Sequence, residues 1–242
     1  CVIEGVHYAA DTPPSGVGYK ALARAISDIA AMAGQPQHAL ITLILPAERS
    51  VSYARAIYRG LSRAAKKHDI AIVGGETACP AKGGNALISV TLTGSVTTNH
   101  CCLRSGGRPG DVLFVTGKLG GSLQGHHLRF EPRVTQAAWL ASNSKPRAMM
   151  DLSDGLASDL PRLALASDCG YRIDVQALPC RRGHSIKQAL HDGEDYELLL
   201  AVPARNVAAL TRNWNKRFPA LPLSQIGELT KPGINEPLLT GG

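Results

Sequence analysis

The spacing of apolar residues divides the chain into alternating helices and strands. Residues 17–33 and 50–68 carry apolar side chains three or four positions apart, which predicts two helices that each bury one face. Residues 38–46, which lie between them, form an apolar run and predict a strand that is covered on both faces. The first part of the chain therefore predicts a layer of helices packed on a sheet.

The same pattern continues to the end of the chain. Short apolar runs predict strands at 70–73, 87–96, 112–116, 171–175, 196–202 and 223–229. Helical spacing predicts helices at 154–167 and 204–214, and Pro161 predicts a kink in the first of them, or a helix that begins only near Asp159. Strands and helices that alternate in both halves predict a two-domain α/β (α+β) architecture.

A cluster of turn-forming residues interrupts this pattern at Ser105–Gly110 and predicts a domain boundary. The expected domains are residues 1–106 and 107–242. The loop at 117–122, which we call the glycine loop, follows a predicted strand but lacks the Walker spacing, so a P-loop is excluded.

Composition narrows the class of protein. With 242 residues, of which 44% are hydrophobic, the chain can bury a substantial core. Its longest apolar run, Leu40–Leu45, is far too short to span a membrane, and no signal peptide precedes it, so we expect a cytoplasmic protein with no membrane partner. Six cysteines without regular spacing argue against a disulfide framework and against a zinc site.

The net charge alone does not indicate which class of ligand the protein binds. The net charge is +7 and the pI is near 9.2, which suits either nucleic acid or a polyphosphate substrate. The basic residues are spread along the chain and the aromatic content is only 5%, so no stacking surface for bases is predicted. We therefore expect no nucleic-acid partner.

The strongest chemical signal is the segment Asp151–Gly155, which we call the aspartate turn. It places two carboxylates and a hydroxyl between a buried run and a helix. Mg²⁺ is commonly held by one or two carboxylates plus substrate phosphates, and a helix N-terminus favours anions. The alternative is an ordinary helix cap, in which Asp154 or Ser153 binds the first free N–H groups.

Two further segments leave both a functional and a structural interpretation open. In Gly74–Thr77, small residues would let backbone N–H groups approach a ligand while Glu76 supplies an oxygen, or the segment is a plain turn. Three carboxylates crowd into residues 191–196, which we call the acidic segment, directly before an apolar strand. They either serve a function or protect the edge of a sheet by their charge.

Eight segments in this order resemble the thiamine-monophosphate kinase family of the aminoimidazole-ribotide-synthase-like superfamily. The resemblance runs from residue 1 to about Leu229. The segments are Glu4–Tyr8, Tyr19–Leu22, Ser27–Met32, Gly74–Thr77, Leu103–Gly106, Arg108–Asp111, Asp151–Leu156 and Gly193–Leu198.

This resemblance implies a fold and a reaction. The fold would have an N-terminal domain that dimerises through its sheet and holds ATP with several Mg²⁺ ions, and a C-terminal α/β domain that completes the cleft. The reaction would transfer the γ-phosphoryl group of ATP directly to thiamine monophosphate, giving thiamine diphosphate. Because the acceptor is already an ionised phosphate, no catalytic base is expected, and catalysis would consist of positioning and charge neutralisation.

Carried over position by position, the resemblance implies roles for nine residues. The implied magnesium ligands are Asp28, Glu76, Asp151 and Asp154. The implied ATP contacts are Gly75, Glu76, Arg104 and Ser153. The implied contacts to thiamine monophosphate are His7 and Glu194. For His7 the alternative is a core histidine, and for Arg104 it is a residue that only braces the domain junction.

Departures from the family pattern keep other functions open. Glu76 stands where the family usually has aspartate, and an N-terminal metal-binding segment and a closing aromatic segment are missing, so we expect a chain truncated at both ends. The alternatives are a non-catalytic thiamine-phosphate-binding relative and another ATP-using member of the superfamily, such as aminoimidazole ribotide synthase or selenophosphate synthetase. The Gly5–His7 and Gly193–Leu198 segments favour the thiamine enzyme.

Overall fold

The computed structural model describes residues 1–233 and 235–236, which divide into two compact units. Unit 1 comprises residues 1–29, 35–95 and 128–132, and unit 2 comprises residues 30–34, 96–127 and the chain from Arg133 onward. The division into domains at residue 106 stays a prediction.

Six α-helices lie in the described residues. They are α1 (Pro14–Ala31), α2 (Val51–Lys67), α3 (Val134–Asn143), α4 (Leu156–Ala166), α5 (Ile186–His191) and α6 (Val207–Arg217). The four predicted helices are confirmed within about three residues at each end. Pro161 lies inside α4, which begins at Leu156, so a helix that begins only near Asp159 is wrong. None of the helices in the described part is both long and apolar enough to cross a membrane.

Unit 1 contains a four-stranded sheet. Its strands are β1 (Val2–Ile3), β2 (Gln35–Ile44), β3 (Ala71–Ala78) and β4 (Leu87–Ser95), in the order β1-β4-β2-β3. α2 connects β2 to its parallel neighbour β3, whereas the other pairs are antiparallel. Ala39, Ile41 and Leu43 point to the buried face of β2.

The other face of β2 is exposed in the single chain, so one chain alone covers only one face of this strand. Leu40 is 49% exposed, and Thr42 and Ile44 on the same face are half-buried. Buried and exposed positions alternate along β2, but the sequence does not show this because Leu40 and Ile44 on the exposed face are themselves apolar. A partner is therefore required if this face is to leave water.

Residues 74–77 belong to β3, so the interpretation of this segment as a plain turn is wrong. Gly75 pairs with Ile41 of β2, and a Cβ atom on Gly75 would lie only 1.9 Å from the carbonyl oxygen of Ile41. The φ of Gly75 is +153°. Close approach of two strands therefore explains this glycine without any ligand.

Unit 2 contains a six-stranded sheet in the order β10-β7-β9-β5-β8-β6. Its strands are β5 (Asp111–Thr116), β6 (Ala148–Asp151), β7 (Gly170–Ile173), β8 (Leu198–Pro203), β9 (Leu223–Thr230) and β10 (Asn235–Glu236). Mixed sheets that carry helices in both units confirm the α/β (α+β) class.

Both faces of the unit 2 sheet are covered, and β8 shows why its sequence is continuously apolar. Leu199 and Ala201 belong to one hydrophobic core, which also contains the buried side chains of α4. Leu198, Leu200 and Val202 point to the opposite face and belong to a second core, which α3 and α6 complete. A central strand with two buried faces cannot alternate polar and apolar residues.

Candidate functional site

The aspartate turn follows β6 and leads into α4 in unit 2. Asp151, the last residue of β6, is buried, whereas Asp154 is 55% exposed. The N-cap of α4 is Gly155, and no side chain caps this helix. The helix-cap alternative for Ser153 and Asp154 is therefore wrong.

Asp159 and Arg162, both from α4, shape the aspartate turn. The carboxylate of Asp159 accepts a hydrogen bond from the backbone N–H of Asp154 at 2.9 Å, and Arg162 donates to Asp159 at 2.7 Å. Burial raises the pKa of Asp159. Arg162 also pairs with Asp154, but both side chains are about half exposed, so this ion pair contributes little to stability.

Backbone hydrogen bonds join the acidic segment to the aspartate turn. The N–H of Glu194 donates to the carbonyl of Ser153 at 2.8 Å, and the N–H of Tyr196 donates to the carbonyl of Leu152 at 2.9 Å. In return, Leu152 donates to the carbonyl of Glu197 at 2.8 Å. Unit 2 thus brings the predicted ATP contact Ser153 beside the predicted substrate contact Glu194.

Asp192 and Asp195 of the acidic segment point into the glycine loop. Asp195 is buried and accepts hydrogen bonds from the N–H of Gly120 at 3.1 Å and from the hydroxyl of Ser122 at 2.5 Å. Asp192 accepts one from the N–H of Gly121 at 2.8 Å. These two carboxylates bind the loop, so protection of a sheet edge is the wrong explanation for them.

Glu197 fixes the start of the glycine loop in the same way. It accepts hydrogen bonds from the hydroxyl of Thr116 and from Nε of Arg133, both at 2.7 Å. Gly117 has a φ of +64°, and a Cβ atom there would lie 2.0 Å from Oε1 of Glu197. Burial raises the pKa of Glu197 and of Asp195, against the opposing effect of their hydrogen bonds.

Glu194 is only half-buried, unlike Asp195 and Glu197, which are buried. Its carboxylate accepts a hydrogen bond from the hydroxyl of Tyr196 at 3.1 Å. Glu194 and Tyr196 have φ values of +58° and +51°. Such left-handed residues other than glycine cluster at functional sites, where the surroundings hold them in place.

In unit 1, His7 is half-buried, so it is not a core residue. Its Nδ1 accepts a hydrogen bond from the N–H of Ile3 at 3.1 Å, and its carbonyl accepts one from the ammonium of Lys20 at 2.7 Å. Because Nδ1 accepts, the proton of the neutral ring lies on Nε2.

Asp28 and Glu76 lie on opposite faces of the unit 1 sheet. Asp28, on α1, lines a small pocket that also contains Val90 and Arg24. Val90 pairs with the buried Ile41, so this pocket is on the helix-covered face. Glu76 pairs with Thr42 and shares the exposed face. Asp151 and Asp154 belong to unit 2, so a grouping of this pair with Asp28 or with Glu76 stays a prediction.

Arg104 is exposed in unit 2, and among the described contacts its guanidinium has no hydrogen-bond or ion-pair partner within the protein. Its backbone carbonyl accepts a hydrogen bond from the hydroxyl of Ser167 at 3.2 Å. A residue that braces a junction would use its side chain, so the bracing alternative has no support. The guanidinium is available to an anion.

The carboxylates fit magnesium better than a transition metal. Within residues 1–233 and 235–236, no three His, Cys, Asp or Glu side chains group as a complete protein-made metal centre. Mg²⁺ does not require one, because it keeps waters and substrate phosphates beside one or two carboxylates. Asp151 and Asp154, on one turn, offer such a pair of hard oxygen ligands.

The sequence did not reveal the partners of the acidic segment. The glycine loop and the carboxylates were both visible, but Gly120 and Asp195 are 75 positions apart. The signal that could have joined them is chemical, because buried carboxylates require donors and a glycine-rich loop presents backbone N–H groups.

Family models and a named relative match both parts of this chain. Residues 1–96 match the family model described as AIR synthase related protein, N-terminal domain, and residues 127–237 match the corresponding C-terminal domain. The thiamine-monophosphate kinase of Rhodopirellula baltica is 38% identical over 240 residues, which cover 94% of this chain and 73% of the relative.

Solved structures give the same result. The thiamine-monophosphate kinase of Stenotrophomonas maltophilia K279a superimposes with a TM-score of 0.84 at 31% identity, covering 94% of this chain and 80% of that chain. AaThiL complexed with AMPPCP and TMP superimposes with a TM-score of 0.78 at 31% identity, covering 95% of this chain and 79% of that chain.

Proposed function

Because this chain belongs to the thiamine-monophosphate kinase family, we propose that it phosphorylates thiamine monophosphate. The γ-phosphoryl group of ATP is transferred directly to the phosphate of thiamine monophosphate, giving thiamine diphosphate and ADP. The breaking bond joins the γ-phosphorus to the bridging oxygen of ADP, and the new bond joins it to an oxygen of the acceptor phosphate.

One observation carries this proposal, namely the hydrogen bonds between the aspartate turn and the acidic segment. They fix Ser153, which we assign to ATP, next to Glu194, which we assign to thiamine monophosphate. Phosphoryl transfer depends on holding donor and acceptor in line, so the two contacts must share a rigid support. The backbone of unit 2 supplies that support.

Arg104 and Glu194 each carry the charge opposite to that of the substrate group that we assign to them. The guanidinium of Arg104 presents several N–H donors in a fixed plane, which suits the oxygens of a polyphosphate. The thiamine group carries a thiazolium cation, which the carboxylate of Glu194 attracts. The Nε2–H of His7 is a further donor for thiamine monophosphate.

Magnesium completes the proposal, with Asp151 and Asp154 as one ligand pair and with Asp28 and Glu76 as separate contributors. Mg²⁺ held by these residues would neutralise the charge of the phosphate oxygens during the transfer. Asp154 has to exchange its ion pair with Arg162 for this role. No side chain needs to remove a proton, because the acceptor oxygen is already ionised.

The function is tested by incubating the full-length protein with ATP, Mg²⁺ and thiamine monophosphate, and by separating the products by chromatography. We expect thiamine diphosphate and ADP in equal amounts. Binding of thiamine monophosphate without any product would instead support the non-catalytic relative, and ATP turnover only with another acceptor would support another member of the superfamily.

Replacing Glu76 with glutamine removes the charge but keeps the shape, so the Mg²⁺ concentration needed for half-maximal rate should rise about tenfold if Glu76 is a ligand. Glu76→Asp should be tolerated only if the backbone of β3 moves to follow the shorter side chain, and the contact of Gly75 with Ile41 opposes such a movement. A magnesium titration of each variant measures both effects. An unchanged titration for Glu76→Gln would remove Glu76 from the ligands.

A second copy of the chain is the proposed cover for the exposed face of the unit 1 sheet. Leu40 on this face is 49% exposed and Val73 of the neighbouring strand β3 is 58% exposed, and a symmetric dimer would bury them. Leu40→Glu should convert the dimer into monomers in sedimentation measurements. Leu165→Glu, which changes a leucine that is 82% exposed on α4, is the matched control and should leave the dimer intact. A wild-type monomer at micromolar concentration would contradict the proposal.

A cytoplasmic location is part of the same proposal. All six cysteines are free in the structure, as is usual in a reducing compartment.

A further inference from the structure

The three buried or half-buried acids that flank Glu194 all bind the loop region that begins at Thr116, although they share one short segment of sequence. Asp192 binds Gly121, Asp195 binds Gly120 and Ser122, and Glu197 binds Thr116. This list contains every acid of residues 192–197 except Glu194. Three of the four acids in residues 192–197 therefore hold this segment to the loop.

Asp195 is the centre of this attachment. Besides Gly120 and Ser122, it accepts a hydrogen bond from Nη1 of Arg181 at 3.2 Å. Arg181 also donates to the carbonyls of Gly120 and Lys118, at 2.9 Å for Lys118. Asp195 thus accepts hydrogen bonds from the glycine loop, and Arg181 donates hydrogen bonds to carbonyls of the same loop.

The backbone on either side of Asp195 would not keep its conformation without such support. Glu194 and Tyr196, the two neighbours of Asp195, have φ values of +58° and +51°, which residues with a Cβ atom rarely adopt. Conformations of this kind persist only where the surrounding contacts determine them. The side chain of Asp195, which lies between these two residues, is buried and accepts hydrogen bonds from Gly120 and Ser122 of the loop.

We propose that Asp195 is a positioning residue for thiamine monophosphate, because it clamps Glu194 to the glycine loop and so fixes the carboxylate that meets this substrate. The inference rests on the proposed function and adds a residue that does not itself touch the substrate. It makes a specific claim about kinetics: weakening the clamp impairs recognition of thiamine monophosphate more than recognition of ATP.

Two variants weaken the clamp to different degrees. Asp195→Asn removes the charge that Arg181 and the loop donors face, and Arg181→Lys loosens the same contacts from a partly exposed position that disturbs folding less. The matched control is Asp111→Asn. Asp111 is equally buried and pairs with Arg147 at 2.7 Å, but it lies at the first residue of β5, whereas the loop follows the last.

The measurements are the KM for thiamine monophosphate, the KM for ATP, kcat and the melting temperature of the full-length protein. For Asp195→Asn and Arg181→Lys, the KM for thiamine monophosphate should rise about ten- to a hundredfold. The KM for ATP should stay within about twofold. Asp111→Asn should lower the melting temperature and leave both KM values within the same limit.

Calorimetry with thiamine monophosphate alone, in the absence of ATP, provides a second readout and should show the same loss of affinity for the two clamp variants. The inference is overturned if Asp195→Asn and Arg181→Lys behave like Asp111→Asn, or if they raise both KM values equally. An unchanged KM in a folded Arg181→Lys protein overturns it even if Asp195→Asn fails to fold. Failure of the proposed function is distinguishable, because the wild-type protein would then form no thiamine diphosphate.

Discussion

Replacing Asp151 with asparagine is expected to lower kcat by about a hundred- to a thousandfold, with little change in the affinity for thiamine monophosphate. Asp151 is buried at the end of β6, and asparagine fits the same space without the negative charge. Loss of that charge weakens the hold on the cation that neutralises the transferring phosphates. Steady-state kinetics at saturating ATP, repeated over a range of Mg²⁺ concentrations, measures the effect.

The control for Asp151 is Asp111→Asn. This variant also removes a buried carboxylate, but from the opposite end of the strands in the unit 2 sheet. This variant should lose thermal stability but keep its turnover per folded molecule. If Asp151→Asn and Asp111→Asn lose activity only in proportion to the folded protein, Asp151 has no role in holding the metal.

The second large effect is expected for Arg104→Lys. Lysine keeps the positive charge but loses the planar set of donors, so kcat/KM for ATP should fall about ten- to a thousandfold. Because the guanidinium of Arg104 makes no described contact with the protein, the melting temperature should hardly change. Kinetics and thermal denaturation of the same preparation test both statements.

Arg108→Lys is the matched control for Arg104, since Arg108 is also exposed and lies only four residues further along the chain. It should behave as wild type. A lower melting temperature for Arg104→Lys together with normal turnover would assign Arg104 to bracing the structure and would contradict its contact with ATP.

The elements of the fold could largely be predicted from the sequence, because burial dictates the apolar pattern. The helices at α1, α2, α4 and α6 follow from that spacing. α5 could not be predicted, since its six residues are too short to show a period. The exposed face of β2 was also missed, because Leu40 and Ile44 are apolar on a face that the single chain does not bury.

The candidate site could be predicted only in part. The aspartate turn carried a recognisable chemical signal, but whether Ser153 and Asp154 cap a helix depends on the geometry of Gly155, which composition does not encode. For Gly75 the sequence suggested a ligand contact, but close packing against Ile41 of β2 is enough to explain why this position is glycine.

The acidic segment shows the general limit of prediction from one sequence. Its carboxylates look equivalent in the sequence, yet Asp195 is buried against Gly120 whereas Glu194 is only half-buried. The difference arises from a contact between residues 75 positions apart, which depends on the fold of the whole unit. Local patterns predict the type of chemistry, and long-range packing decides which residue performs it.

The central claim is that phosphate passes directly from ATP to thiamine monophosphate on this protein. A single-turnover experiment with ATP labelled at the γ-phosphate tests it most directly, with thiamine monophosphate and free thiamine supplied as acceptors in parallel reactions. The account predicts label in thiamine diphosphate, in an amount equal to the ADP formed, with none on the protein and none transferred to free thiamine. Label that is released as inorganic phosphate, or that reaches thiamine but not thiamine monophosphate, would contradict it.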